Sequence, residues 1–362
     1  MKRTLLTTGV ALLASTMALT GCQTKNSSSG NGGGNGGGTG SASGGGGPAA
    51  GKIVIMVGGA AKVIYMPAKL TEQLGYFKDE GLNVELQDTP AGVTAETQLL
   101  AGQAQGVVGF YDHTIDIQAK DSSKCLESVV QFANVPGEVE VVSKKNQGTI
   151  KSPSDFKGKK LGVTSQGSST DFLTQYLAGK GGVSTSQYTT VKAGADATFI
   201  GALTSGGIDA GMTTDPTVAR LTKTGQGSVL LDMRTAAGTQ KALGGLYPAS
   251  SLYMSCDWVN ANKPTVQKLA NAFVKTLKFI NSNSADTIAS KMPADYAGGD
   301  KQLYVKAIND SKGMFTGDGV MDEGGAKNVL TVLGSFSGNV KPKKDQIDLS
   351  KTYTTEFVKA AK

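Results

Sequence analysis

One histidine, one tryptophan and three cysteines stand in 362 residues. No CxxC pair and no His/Cys cluster occurs, so no metal site is expected. No GxSxG elbow is present, and Asp/Glu pairs lack partners at a readable spacing. The glycines of 30–47 have no strand ahead of them and cannot form a nucleotide loop. Neither catalytic residues nor a cofactor are therefore expected, and the chain reads as a binding protein rather than an enzyme. Beyond the first residues no run of 18 apolar side chains appears, so no membrane span is expected. The net charge of +7 is scattered. Its densest runs, Lys157-Gly158-Lys159-Lys160 and Lys341-Pro342-Lys343-Lys344, read as solvated turns, which excludes nucleic acid as the expected partner.

What is present begins with a leader. Lys2 and Arg3 precede an apolar stretch from Leu5 to Leu19, too short to span a bilayer and right for a signal peptide over 1–21. It closes on Leu19-Thr20-Gly21-Cys22. That is the form of a bacterial lipobox, in which Cys22 takes a diacylglycerol and becomes the first residue. Residues 22–50 follow as the lipidated Cys22 and a Gly/Ser-rich tether. With almost no apolar side chains, the tether cannot offset its chain entropy and spans about 30 Å as a coil. The expectation is an exported protein, lipid-anchored to the cell membrane and facing the periplasm or exterior. Cys125 and Cys256 both sit beside strand-like runs. In an oxidising compartment they form either a bridge or two buried thiols.

From Lys52 onward strand-like and helix-like segments alternate. Lys52–Val57, Asn83–Leu86 and Gly106–Phe110 read as strands, with helices from Pro67 and over 94–101 and a possible cap at Asp112. The pattern restarts at Ser152-Pro153-Ser154-Asp155. Strands follow at 160–163, 188–191 and 208–212, and helices at 170–178, 196–205 and from Asp215-Pro216 to Leu221. This order argues for an α/β fold of mostly parallel sheets with helices on both faces, in two similar units. Apolar residues at Val266, Leu269, Ala270, Phe273, Val274, Leu277 and Ile280 mark one helix face that covers a sheet.

Ligands of open α/β sheets sit outside the carboxyl ends of strands. Four loops qualify: Gly58–Pro67, Tyr111–Thr114, Ser165–Thr170 and Thr213–Pro216. The candidate contacts in them are Gly59, Ala60, Lys62, Tyr65, Tyr111, Asp112, His113, Gln166, Gly167, Ser168, Ser169, Thr214 and Asp215. The Ser165–Thr170 stretch opens a helix, where free N–H groups and hydroxyls suit an anion. His113 is either a ligand donor or a first-turn helix residue. Asp112 is either a cap or the acceptor for a ligand amine. Tyr65, Tyr111 and Tyr247 are either cleft walls or core.

Several stretches carry a resemblance. Leu74–Leu86 (LGYFKDEGLNVEL), Ser154–Val163 (SDFKGKKLGV) with Gly167-Ser168, Ala202–Ala210 (ALTSGGIDA) and Ile347–Phe357 (IDLSKTYTTEF) occur in the order found in the solute-binding proteins of ABC importers for nitrate, sulfonates and taurine. That family also contains binders of the thiamine pyrimidine precursor. The resemblance implies a type II periplasmic-binding-protein fold, with two α/β lobes, a cleft between them and two crossovers near Val139–Ser143 and Leu252–Cys256. Lobe I would be 51–143 with 250–362, and lobe II 144–249. It implies a small-molecule solute, ABC permease and ATPase partners, and a monomer that closes over its solute. Family contacts carried over fall on Gly59–Tyr65, Tyr111–His113 and Gln166–Ser169. The four loops hold no Arg, Lys62 is their only basic residue, and Trp258 lies after the second crossover. An aromatic or heterocyclic solute therefore stays open beside a nitrate-, sulfonate- or taurine-like one. A pyrimidine-synthase-like enzyme and a sensory lipoprotein are the competing classes.

Overall fold

The computed structural model describes residues 51–362; the leader, Cys22 and the tether lie outside the described residues. Among the described residues ten strands run in chain order: β1 Ile53–Val57, β2 Val84–Asp88, β3 Gly106–Phe110, β4 Leu126–Gln131, β5 Glu138–Ser143, β6 Lys160–Val163, β7 Thr189–Lys192, β8 Ala210–Thr214, β9 Gly227–Asp232 and β10 Ser250–Ser255. They form two five-stranded sheets, ordered β2-β1-β3-β10-β4 and β7-β6-β8-β5-β9.

The sheets share one plan. A parallel trio comes first, β2-β1-β3 in one and β7-β6-β8 in the other. An antiparallel strand from the other half of the chain then enters. β10 lies between β3 and β4, and β5 between β8 and β9. The chain thus leaves the first sheet after β4 and returns to it at β10. The expected crossover positions, 139–143 and 252–256, are not connectors. They are strands inside the sheets, and the connecting segments precede them. Placing 138–143 with the first lobe is accordingly corrected: β5 is hydrogen-bonded to β8 and β9 of the second sheet.

Packing follows the sequence pattern. Helix Lys263–Ser282 buries Val266, Leu269, Ala270, Phe273, Val274, Leu277 and Ile280. Phe273 stands edge-on to Phe77 at 5.3 Å between ring centroids and against Phe132 at 4.9 Å. Each such side chain contributes about 1.5–3 kcal/mol by leaving water. A second core joins the two sheets. Tyr111 and Ile115 of the helix Asp112–Lys120 meet Phe172, Leu173 and Leu177 of the helix Ser169–Lys180, beneath Val329, Val332 and Leu333 of the helix Glu323–Phe336.

In the second sheet, Gly162 faces Gly211 across β6 and β8. A Cβ on Gly211 would lie 2.7 Å from the Gly162 carbonyl oxygen and 2.9 Å from the Phe199 ring. The absent side chain lets helix Asp196–Ser205 pack close to the sheet and brings its first turn to the strand ends. A disulfide joins Cys125 to Cys256 at the end of β10.

Candidate functional site

A cleft of about 450 Å³ opens at the carboxyl ends of the parallel strands. One wall is the turn after β1, with Gly59, Ala61 and Lys62, and the turn after β2, with Asp88, Thr89 and Pro90. The facing wall belongs to the second sheet: Lys192 to Asp196 after β7, then Pro216 and Thr217 after β8.

Gly59 adopts a φ of 106°, a left-handed conformation open to glycine. The resulting turn folds Lys62 back on itself. Its Nζ donates to the Gly58 carbonyl at 3.0 Å and lies 5.6 Å above the centre of the Tyr65 ring. Burial lowers the Lys62 pKa, while Glu138 and Asp88 act to raise it. The Ala60 N–H donates to Asp88 Oδ1 at 2.7 Å, which locks the first wall together. Opposite, Asp196 opens its helix at a φ of 49°, the one left-handed non-glycine conformation among the described residues. Strain of this kind survives only where neighbours hold it. Here the Asp196 N–H donates to Thr217 Oγ1 at 3.1 Å, and Arg220 grips its carboxylate at 2.5 Å.

Beside the cleft lies a buried cluster of charge. Asp112 occupies the first position of its helix, not the cap, which is Tyr111. Its Oδ1 accepts from Ser169 Oγ at 2.8 Å and its Oδ2 from Tyr247 OH at 2.9 Å. These bonds correct the expectation of a cap and leave the carboxylate committed. Burial still raises the Asp112 pKa, against the opposing effects of His113, Ser169 and Tyr247. His113 Nδ1 lies 2.5 Å from Glu96 Oε2, a buried charge pair. Burial opposes the imidazolium, but Glu96, Asp112 and Asp116 outweigh it and raise the pKa to about 9. His113 is 1% exposed, so it belongs to the interior.

Two further residues singled out as walls are core as well. Tyr111 OH meets Thr352 Oγ1 at 2.5 Å, and Tyr111 and Tyr247 are fully buried. Tyr65 is buried between the cluster and the first wall, and its pKa is raised well above 10.0 by burial, then by Glu138 and Asp112.

The Ser165–Thr170 stretch spends most of its polar groups within the protein. Ser168 Oγ donates to the Ser165 carbonyl at 2.6 Å, and Thr170 Oγ1 accepts from the Thr164 N–H at 2.9 Å. The Gly167 N–H donates to Asp171 Oδ2 at 2.9 Å. Asp171 thus fills the position expected for an anion, and Gln166 is exposed. Thr214 is buried. Asp215 ties elements together: Oδ1 accepts from the Ala219 N–H at 3.1 Å, and Oδ2 from Arg234 at 2.9 Å and from Ser311 Oγ at 2.7 Å.

The structure therefore brings Gly59 and Lys62 to the cleft and gathers Tyr65, Asp112, His113 and Ser169 into the adjoining cluster. Sequence reasoning missed Asp88, Thr89, Lys192, Thr198 and Thr217 on the walls, and Glu96 and Glu138 in the cluster. The signal for the walls was available. Asp88–Pro90 and Lys192–Asp196 follow β2 and β7, and loops after parallel strands are where ligands sit.

Comparison with known proteins gives this geometry a family. A family model described as NMT1/THI5 like matches residues 65–286. A structure from Bordetella bronchiseptica RB50 is 36% identical, with a TM-score of 0.81 over 85% of this chain and 96% of its own. The alkanesulfonate-binding protein SsuA from Xanthomonas axonopodis pv. citri, bound to MOPS, is 18% identical with a TM-score of 0.68, covering 85% of this chain and 99% of that one. The periplasmic nitrate-binding protein NrtA from Synechocystis PCC 6803 is 13% identical with a TM-score of 0.65, covering 85% and 88%. A curated relative, the 4-amino-5-hydroxymethyl-2-methylpyrimidine phosphate synthase of Aspergillus parasiticus, is 30% identical over 165 residues, 44% of this chain; the match spans 45% of that relative's length. The chain has the periplasmic-binding-protein fold and belongs to the NMT1/THI5-like family.

Proposed function

We propose that the protein is an extracytoplasmic, lipid-anchored receptor that captures a small anionic solute and delivers it to an ABC permease and ATPase. One observation carries the reading: loops of both sheets wall a single cleft, with Lys62 on one side and Lys192 beside a helix start on the other. Cations on opposed walls and the first turn of a helix on one of them suit a carboxylate, sulfonate or nitrate. A solute that touches both walls stabilises the arrangement in which they are close, and that state is the one a permease can recognise. The two sheets are the cores of the moving lobes, and the hinge lies in the segments just before β5 and β10. The leader, Cys22 and the tether hold this body on the membrane surface. The alkanesulfonate- and nitrate-binding proteins that share this fold agree with a small anion as cargo.

The fungal relative's name raises a second class, pyrimidine synthesis. His113 is the sole histidine and is buried against Glu96, which favours binding over chemistry at an imidazole. The test is a thermal-shift panel on the purified protein and its Lys62→Ala and Lys192→Ala variants, with nitrate, taurine, alkyl and aryl sulfonates, aromatic carboxylates and pyrimidines. A compound at a hundred times its Kd adds about 2.7 kcal/mol to stability. The reading requires one anion to raise Tm and both variants to weaken that rise. Indifference to every compound, or a rise unaffected by both variants, would refute it.

A further inference from the structure

The two walls of the cleft are already bonded to each other. Val63, next to Lys62 on the first wall, donates its N–H to the Asp215 carbonyl at 3.0 Å. Asp215 directly precedes Pro216 and Thr217 of the facing wall. Its buried carboxylate takes donors from both sides. The Ala219 N–H and Arg234 belong to the body of the second sheet. Ser311 Oγ, at 2.7 Å, comes from helix Lys301–Ser311. That helix packs Leu303, Tyr304, Ala307 and Ile308 into the core of the first sheet. Opposite it runs helix Thr217–Lys223, which packs Val218 and Leu221 into the core of the second. The far end of this pair is tied by Lys223 Nζ to Asp300 Oδ2 at 2.6 Å, and Arg234 Nη1 stands 3.6 Å from Asp310 Oδ2. Between the ties the helices leave a groove of about 590 Å³, walled by Ala219 and Thr222 on one side and Gln302 and Leu303 on the other. The seam is thus pinned at its ends by polar contacts. Water can replace such contacts when they part, whereas a packed apolar face would have to be exposed.

We propose that Asp215 and Ser311 form a latch that holds the two cleft walls together before any solute arrives. This rests on the solute-receptor reading above and deepens it: the empty protein already favours the closed arrangement, and the solute adds to a state the chain has prepared. Asp215 is then a positioning residue and not a solute contact. When the walls part, Asp215 keeps Arg234 and the Ala219 N–H and exchanges only Ser311 and Val63 for water, so the latch opens without leaving a buried charge unpaired. Affinity for every solute carries the same closing equilibrium as a common factor.

Small-angle scattering from the purified, solute-free protein tests it, with Ser311→Ala and Ser311→Asp. Ser311→Ala removes one hydrogen bond to a charged group and should shift the closing equilibrium about tenfold to a hundredfold towards the open form. Ser311→Asp sets a second carboxylate against Asp215 and should hold the walls apart. The radius of gyration should rise from wild type to Ser311→Ala to Ser311→Asp, while all three proteins unfold cooperatively. Calorimetric affinity for each compound of the anion panel that binds should fall in the same order, by one factor common to all of them. A folded Ser311→Asp with the wild-type radius, or expansion without loss of affinity, overturns the latch and leaves the receptor standing. If the added carboxylate prevents folding, Ser311→Ala decides: a radius equal to that of wild type overturns the latch. If no compound binds, the receptor reading falls, and the scattering series still decides whether the walls are latched.

Discussion

Replacing His113 with glutamine removes the cation that faces Glu96 at 2.5 Å in the interior. Burial alone would hold the imidazole neutral, but Glu96, Asp112 and Asp116 raise its pKa to about 9. An unfolded histidine titrates near 6.5. The folded state therefore binds the proton more tightly, and the gap corresponds to about 3 kcal/mol. The contribution is present in full below pH 6.5 and is lost as the pH rises through 9. At pH 6 the variant should be less stable by about 3–5 kcal/mol, because Glu96 is left buried without its cation. Between pH 6.5 and 9 the wild type should lose about 3 kcal/mol relative to His113→Gln. Urea unfolding of both proteins at pH 6, 7.5 and 9 measures the difference. Since the chain has one histidine, a single imidazole NMR resonance reports its titration directly. An imidazole that titrates at or below 6.5, or unfolding curves that run parallel across this range, would refute the charge-pair argument.

Glu140 is fully buried, neither carboxylate oxygen has a partner, and burial pushes its pKa up to about 8. The folded state favours its neutral form, so stability should fall between pH 4.5 and 8, by on the order of 5 kcal/mol at most, relative to Glu140→Gln; equal slopes in the two proteins would contradict this. The Cys125–Cys256 bridge spans a sequence separation of 131, and Cys125→Ser with Cys256→Ser should cost about 2–5 kcal/mol in denaturant unfolding. An unchanged midpoint would remove the bridge from the account of stability. Gly211→Ala forces a methyl group against the Gly162 carbonyl and the Phe199 ring and should cost about 1–3 kcal/mol by overpacking. Because the displaced helix carries Asp196 to the cleft, the same change should weaken solute binding; intact stability and binding would show that the close approach is dispensable.

Much of the fold is legible from periodicity. The 3.6-residue spacing from Val266 to Ile280 marks the buried face of helix Lys263–Ser282. The alternation of strand and helix gives both parallel trios. Sheet membership of β5 and β10 is not legible, because an apolar run shows that a strand is buried without showing which neighbours cover it. The site was half legible. Lys62 and Gly59 follow from the strand-end rule, but the loops after the edge strands β2 and β7 supply as much of the cleft. Glu138 and Glu140 stay hidden for a different reason. Glu-Val-Glu-Val-Val has the alternation of a strand with one wet face, yet β5 lies between β8 and β9 and all six of its residues are buried. Asp112 and Asp215 are polar at strand ends, as binding residues are. Only their hydrogen-bond partners show that they hold the protein together.

Native mass spectrometry of the protein, purified from cells without refolding, tests the central claim most directly. A receptor whose 450 Å³ cleft takes a small solute should carry a co-purified mass of one small molecule, lost when Lys62 and Lys192 are both replaced by alanine. A bare wild-type protein that also stays bare in the presence of every compound of the anion panel would contradict it.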